Sequence, residues 1–226
     1  MSGEASVILL SGGLDSATLL YYFRHRGDEI YPLAIRYGQR HSKEIEAAEE
    51  VARSLCLTLE VINIAGFAYL MSRSGSALVN PRVEVPLGHY ESETMKSTIV
   101  PNRNMIFASL AAAYAVAVGA RSIALAVHQG DHAIYPDCRW EFIESLQSTI
   151  QVGLEGYTSP ILVEAPFVDI PKSSIVRMGA AFGVPYELTW SCYKGGSVHC
   201  GQCGTCVERK EAFSLAGIHD PTEYEV

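Results

Sequence analysis

Ser6-Val-Ile-Leu-Leu10-Ser11-Gly-Gly-Leu-Asp15-Ser16 decides how this chain is read. An apolar run stops abruptly at Ser11-Gly-Gly, and an amphipathic stretch from Asp15 to Arg24 follows, which predicts strand, tight loop and helix. At such a junction the free backbone N–H groups and the helix dipole together favour an anion. The glycines let the backbone curl around oxygens, and the hydroxyls of Ser11 and Ser16 can donate further hydrogen bonds. Leu10, Ser11, Gly12, Gly13, Leu14, Asp15 and Ser16 are therefore candidate nucleotide-binding residues. A carboxylate at Asp15 would repel phosphate unless a cation intervenes, so ATP with Mg²⁺ is implied. The Lys-Ser/Thr of a Walker A loop is missing, which weakens a kinase reading. The plain alternative is a tight turn capped by Asp.

Outward from that loop the pattern keeps alternating. Ile30–Ile35 reads as a second strand, Ser42–Leu55 as a helix and Leu57–Ile62 as a third strand. Ala65 to Thr98 loses periodicity, as functional loops and lids do. Helices are then expected over Asn102–Val118, Arg139–Val152 and Ser173–Phe182, with strands at Ser122–Val127 and Ile161–Glu164. The fold class this implies is α/β, a Rossmann-like parallel sheet flanked by helices over residues 1–185. Residues 186–226 read as a cysteine-rich C-terminal segment closed by a helix of about Thr205–Leu215.

With 226 residues and 48% hydrophobic content the chain can close one such core. A net charge of -8 argues against a basic nucleic-acid-binding face, so no nucleic-acid partner is expected. The longest apolar run, Met105–Ala120, is short for a bilayer and rich in alanine, so no membrane span is expected. No secretory signal is read at the N-terminus, and a cytoplasmic location is expected.

Four of the six cysteines, Cys192, Cys200, Cys203 and Cys206, are spaced C-x7-C-x2-C-x2-C. Four thiolates on one tight knuckle suit a single tetrahedral Zn²⁺, closed and structural. An iron–sulfur cluster is the rival, although the cysteine-proline that completes the bacterial ferredoxin pattern is missing. His199 adjoins the set and reads as a solvated neighbour.

Between loop and knuckle stand Tyr37-Gly-Gln-Arg-His41, Val100-Pro-Asn-Arg-Asn104, Tyr135-Pro-Asp-Cys-Arg139 and Lys172. Taken singly these are equally well helix caps and exposed charges. The string SGGLDS resembles the PP-loop of the N-type ATP pyrophosphatases. Together with the polar motifs and the four cysteines, the chain resembles the 7-cyano-7-deazaguanine synthase family from Val7 to about Glu223, least clearly between Gly66 and Ser97.

That resemblance implies a carbon–nitrogen ligase. ATP would activate the carboxylate of 7-carboxy-7-deazaguanine, ammonia would displace AMP, and a second ATP would activate the amide oxygen for elimination to the nitrile, a precursor of queuosine or archaeosine. Adenine would lie against the end of the second strand, Ile35–Gly38. Arg103 and Lys172 are the candidate cations for the phosphates, and Asp137 and Arg139 are candidates to orient the deazaguanine. A homo-oligomer, a dimer, is expected. The alternatives are a tRNA-thiolating PP-loop enzyme, a glutamine-dependent amidating relative, and a non-catalytic zinc-knuckle nucleotide-binding module.

Overall fold

In the computed structural model, which describes residues 3–71, 73–89 and 93–225, β1 (Ala5–Leu9) lies at the centre of a five-stranded sheet. Around it run β2 (Glu29–Arg36), β3 (Glu60–Asn63), β4 (Ser122–Ala124) and β5 (Leu162–Glu164), in the order β3-β2-β1-β4-β5 with every pairing parallel. The side chains of β1 alternate between two cores. Val7 packs with Leu33 and Ile123 on one face, and Ile8 with Ala34 and Ala124 on the other.

Helices cover both faces, as parallel strands require. The Val7 face carries α3 (Gly66–Met71), α4 (Arg103–Val118) and α5 (Trp140–Gly153). The Ile8 face carries α1 (Leu14–Arg26), α2 (Lys43–Ser54), α6 (Lys172–Phe182) and α7 (Gly204–Ala216). α4 is apolar nearly all round, and its buried stripe is Ala108, Ala111, Ala112 and Ala115 at helical spacing. Small side chains there let the helix lie close on the sheet. Ala212 and Phe213 of α7 belong to the same core as α1 and α6, so the C-terminal helix is packed onto the sheet domain.

Two expectations are corrected. The fourth strand ends at Ala124, not Val127. Leu125 N–H still reaches the Glu164 carbonyl at 2.9 Å, but β5 stops there, and residues 125–128 turn away to wall a cavity. The 65–98 segment, of which residues 72 and 90–92 lie outside the described residues, contains α3 and a 3₁₀ turn at Glu93–Thr98. Ala77, Leu78, Val79 and Met95 are buried, and the Arg40 guanidinium donates to the carbonyls of Ala77 and Val83 at 3.2 and 2.9 Å. Much of it is therefore tied to the core.

Candidate active site

Strand order reverses beside β1, and ligands of such sheets lie at the carboxyl ends of the strands at that point. Leu10–Ser16 occupies it. Ser16 Oγ donates to the Gly13 carbonyl at 3.1 Å and accepts from Ser11 N–H at 3.2 Å, while the Ser11 and Ser16 hydroxyls meet at 3.0 Å. Gly13 caps α1 in extended conformation with no side-chain cap bond, which leaves the first N–H groups of α1 to an incoming anion. Gly12 has φ +82, and a Cβ there would collide with the Glu44 carbonyl. Only glycine fits both conditions.

Above the loop a cavity of about 250 Å³ is lined by most of this loop together with Leu33, Ile35, Tyr37, Glu44, Arg103, His128, Asp131, Lys172 and Trp190. Of the expected site residues it brings together Leu10, Ser11, Gly13, Leu14, Asp15, Ser16, Arg103 and Lys172. Gly12 faces α2 instead. Asp137 and Arg139 do not line the cavity. Asp137 Oδ2 accepts from Asn104 N–H at 3.2 Å, in the first turn of α4, and Arg139 Nε donates to the His132 carbonyl at 2.9 Å.

Lys172 Nζ is gripped by Asp15 Oδ2 at 2.9 Å and Glu208 Oε2 at 2.7 Å. His128 Nδ1 accepts from Gly130 N–H at 3.1 Å, so the neutral ring carries its proton on Nε2, which faces Asp15, Asp131 and Glu208 at 3.6–3.9 Å. The charges of three carboxylates, Asp15, Glu208 and Asp131, thus act on one lysine. Burial raises the Asp15 pKa, but the attraction of Lys172 and then His128 outweighs it and leaves the group below its usual value. At Glu208 burial prevails over Lys172, and the pKa is raised. Asp15 Oδ1 is buried with no hydrogen-bond partner, and such an oxygen in a surplus of carboxylate suits a hard cation.

Arg103 opens α4 directly after Asn102, whose φ is +60. Its charge faces the phenols of Tyr37, Tyr193 and Tyr135. Cys138 is a buried thiol that accepts from Asn104 Nδ2 at 3.4 Å, and burial pushes its pKa up.

The ligand atoms of Cys192, Cys200, Cys203 and Cys206 all lie within 4.8 Å of one another and are buried. Backbone N–H groups of Cys200 and Cys203 point at the sulfurs of Cys192 and Cys200 at 3.4 and 3.3 Å. A tetrahedral Zn–S distance of about 2.3 Å sets sulfurs roughly 3.8 Å apart, so the set fits one metal ion. His199, expected to be solvated, is buried: its Nε2 accepts from Ser191 N–H at 3.0 Å, and its ring lies 4.2 Å from that of Trp190. Trp190 N–H in turn donates to the Gly12 carbonyl at 2.9 Å, which links knuckle to loop.

Sequence reading missed His128, Glu208 and Glu44. His128 was findable, since it follows an apolar run at the carboxyl end of a strand. Glu208 reaches Lys172 from another element and carried no local signal.

A parallel sheet with SGGLDS at its switch point defines the PP-loop ATP-pyrophosphatase fold. The U34-tRNA thiolase NcsA from Methanococcus maripaludis with its [4Fe-4S] cluster shares it at TM-score 0.52 and 12% identity, over 95% of this chain and 66% of that one. So does a 4-thiouridine synthetase–RNA complex with bound ATP, at TM-score 0.51 and 18% identity over 95% and 50%. At these identities the likeness is one of fold alone. The family model described as queuosine biosynthesis protein QueC matches residues 5–217, and the chain belongs to that family. Relatives named 7-cyano-7-deazaguanine synthase include those of Rhizobium johnstonii, 51% identical over 97% of this chain and 92% of theirs, and Caldicellulosiruptor bescii, 47% over 98% and 97%. The one from Archaeoglobus fulgidus is 49% identical over 96% and 88%. Membership in this family sets aside the thiolase and inert-knuckle alternatives.

Proposed function

We propose that this chain is an ATP-dependent carbon–nitrogen ligase that converts 7-carboxy-7-deazaguanine and ammonia to 7-cyano-7-deazaguanine with release of AMP and pyrophosphate. The observation that carries the reading is one cavity holding an uncapped anion loop, an enclosed arginine and a carboxylate-rich lysine cluster, in a chain of this family. Neither a carboxylate nor an amide oxygen leaves unaided, and adenylation makes each the bridging oxygen of a mixed anhydride or imidoyl phosphate, from which it leaves with AMP. The loop N–H groups and the Ser11 and Ser16 hydroxyls bind phosphate oxygens, and Arg103 and Lys172 meet the negative charge that develops. Mg²⁺ bound with ATP would sit against Asp15, whose Oδ1 lacks a partner, and would supply charge neutralisation there.

Asp137 and Arg139 act through others. Asp137 holds the first turn of α4 and so aims Arg103, while Arg139 fixes the turn that bears Asp131 and Tyr135. The four cysteines hold one Zn²⁺, since a closed, buried all-thiolate set suits a structural zinc, and residues 186–226 form a segment stapled onto the 1–185 domain. A cytoplasmic enzyme follows from this reading; among the described residues no helix is long and apolar enough to cross a membrane. Exposed Val152, Tyr157 and Leu162 offer apolar surface that a homodimer would cover.

The test is to incubate the protein with the acid, Mg-ATP and ammonium and to follow the purine by mass spectrometry. Nitrile formed in step with AMP and pyrophosphate, and lost in Asp15→Ala, is the expected result. An untouched acid, with pyrophosphate released on another acceptor such as tRNA, would contradict it.

A further inference from the structure

The roles above leave one carboxylate of the cavity unused. Glu44 stands in the first turn of α2, lines the same cavity as the phosphate loop and Arg103, and is placed there by the packing of Gly12 against its own carbonyl. Asp15 and Glu208 grip Lys172, and Asp131 accepts from the His128 N–H at 3.2 Å. The Glu44 carboxylate, in contrast, has no hydrogen-bond partner among the described residues, and the charge that acts on it is that of Arg103.

The chemistry has an unassigned need. Nitrogen enters as ammonia and ends as a nitrile, so every N–H proton must be taken away, and a lysine or arginine already protonated cannot take one. We propose that Glu44 is the general base for the nitrogen, a deepening that rests on the function proposed above. When ammonia adds to the acyl adenylate, the C–N bond forms, a proton passes from nitrogen to a Glu44 oxygen, and the C–O bond to AMP breaks as the amide appears. Glu44 passes that proton to water. As the second ATP adenylates the amide oxygen and pyrophosphate leaves, one of the two amide N–H protons is lost by the same route to give the imidate. In the last step the one remaining N–H proton passes to Glu44. Its electron pair becomes the third C–N bond, and the C–O bond breaks with its electrons on AMP. No oxidant or reductant is needed.

The groups facing Glu44 fit this role. Burial raises its pKa to about 7, with Arg103 opposing, so near neutral pH the group is poised to accept and pass on a proton. The phenols of Tyr37 and Tyr193 face it from β2's end and the C-terminal segment, and both are shifted upward by burial, Tyr37 to about 12. Neither competes as a base at neutral pH. Because the working form is the carboxylate, the nitrile-forming rate should rise with pH through about 7 and level off above it.

The experiment supplies the amide, 7-amido-7-deazaguanine, with Mg-ATP to the wild type, Glu44→Gln and Glu44→Asp, and records nitrile formation from pH 5.5 to 9. Glu44→Gln should lower the maximal rate by about 100-fold or more and lose the limb near neutral pH, with KM for the amide little changed. Glu44→Asp should keep the limb at reduced rate, which a merely structural role would not predict. A Glu44→Gln enzyme that keeps the wild-type maximal rate with a raised KM, or keeps the limb, overturns the assignment. A wild type that makes no nitrile overturns the functional reading and this assignment with it, whereas an active wild type beside an unaffected variant overturns this assignment alone.

Discussion

The phosphate loop and the cysteine knuckle touch through Trp190 and Gly12, yet different forces hold them. The loop takes its shape from its neighbours: β1 is paired on both sides, and α1 buries Leu14, Ala17, Leu19, Leu20 and Phe23. Hydrophobic burial fixes the strand and helix on either side, and the Ser11 and Ser16 hydrogen bonds close the turn between them. The knuckle packs its four thiols against Ala77 and Val85, with little else that is apolar and fully buried, and adds N–H···S bonds around a cysteine set that could hold one metal ion. Phosphate-binding shape therefore follows from the sheet, whereas the segment that supplies Trp190 and leads into Glu208 has little apolar core around its cysteines.

Metal removal probes this difference most strongly, since structural zinc contributes an apparent 10–16 kcal/mol in small zinc-binding peptides. Chelation, or Cys203→Ser, should abolish hydrogen-exchange protection across residues 189–206 while amides of β1 and α1 stay protected. Equal loss in both regions would show that the two are not separable.

Arg209 should come next. It is fully buried and donates to Asp220 at 3.1 Å, Thr189 Oγ1 at 2.7 Å, Ser191 Oγ at 3.2 Å and the Tyr186 carbonyl at 3.0 Å, binding the segment of residues 186–191 before the knuckle to α7. Removing it strands a carboxylate and several acceptors. Arg209→Ala should lower stability by about 3–5 kcal/mol in urea unfolding of the metal-bound protein. The smallest effect is expected where α1 and α6 meet this segment, at the 3₁₀ turn Tyr186–Leu188. The Tyr186 hydroxyl bonds Thr18 Oγ1 at 3.1 Å and the Val176 carbonyl at 3.1 Å, so Tyr186→Phe should cost about 1–2 kcal/mol.

The contrast also explains what was legible in the sequence. Strand, loop and helix from Ala5 to Arg26 announce themselves, because their hydrophobic period, glycines and hydroxyls are all local. The cysteine spacing was equally plain. What the sequence hid depends on tertiary neighbours: β4 stops where β5 stops, His199 is buried by Trp190, and Asp137 faces a helix terminus and not the cavity. The cluster of Asp15, His128, Lys172 and Glu208 draws on α1, the turn after β4, α6 and α7, which no single window of sequence contains.

In the proposed reaction the loop directs attack at the α-phosphate of ATP, and oxygen tracing reads which phosphorus is attacked. With both carboxylate oxygens of 7-carboxy-7-deazaguanine labelled with ¹⁸O, each of the two AMP molecules formed per nitrile should carry one label, with none in pyrophosphate. Label found in inorganic phosphate beside ADP would mean γ-phosphoryl transfer and would contradict it.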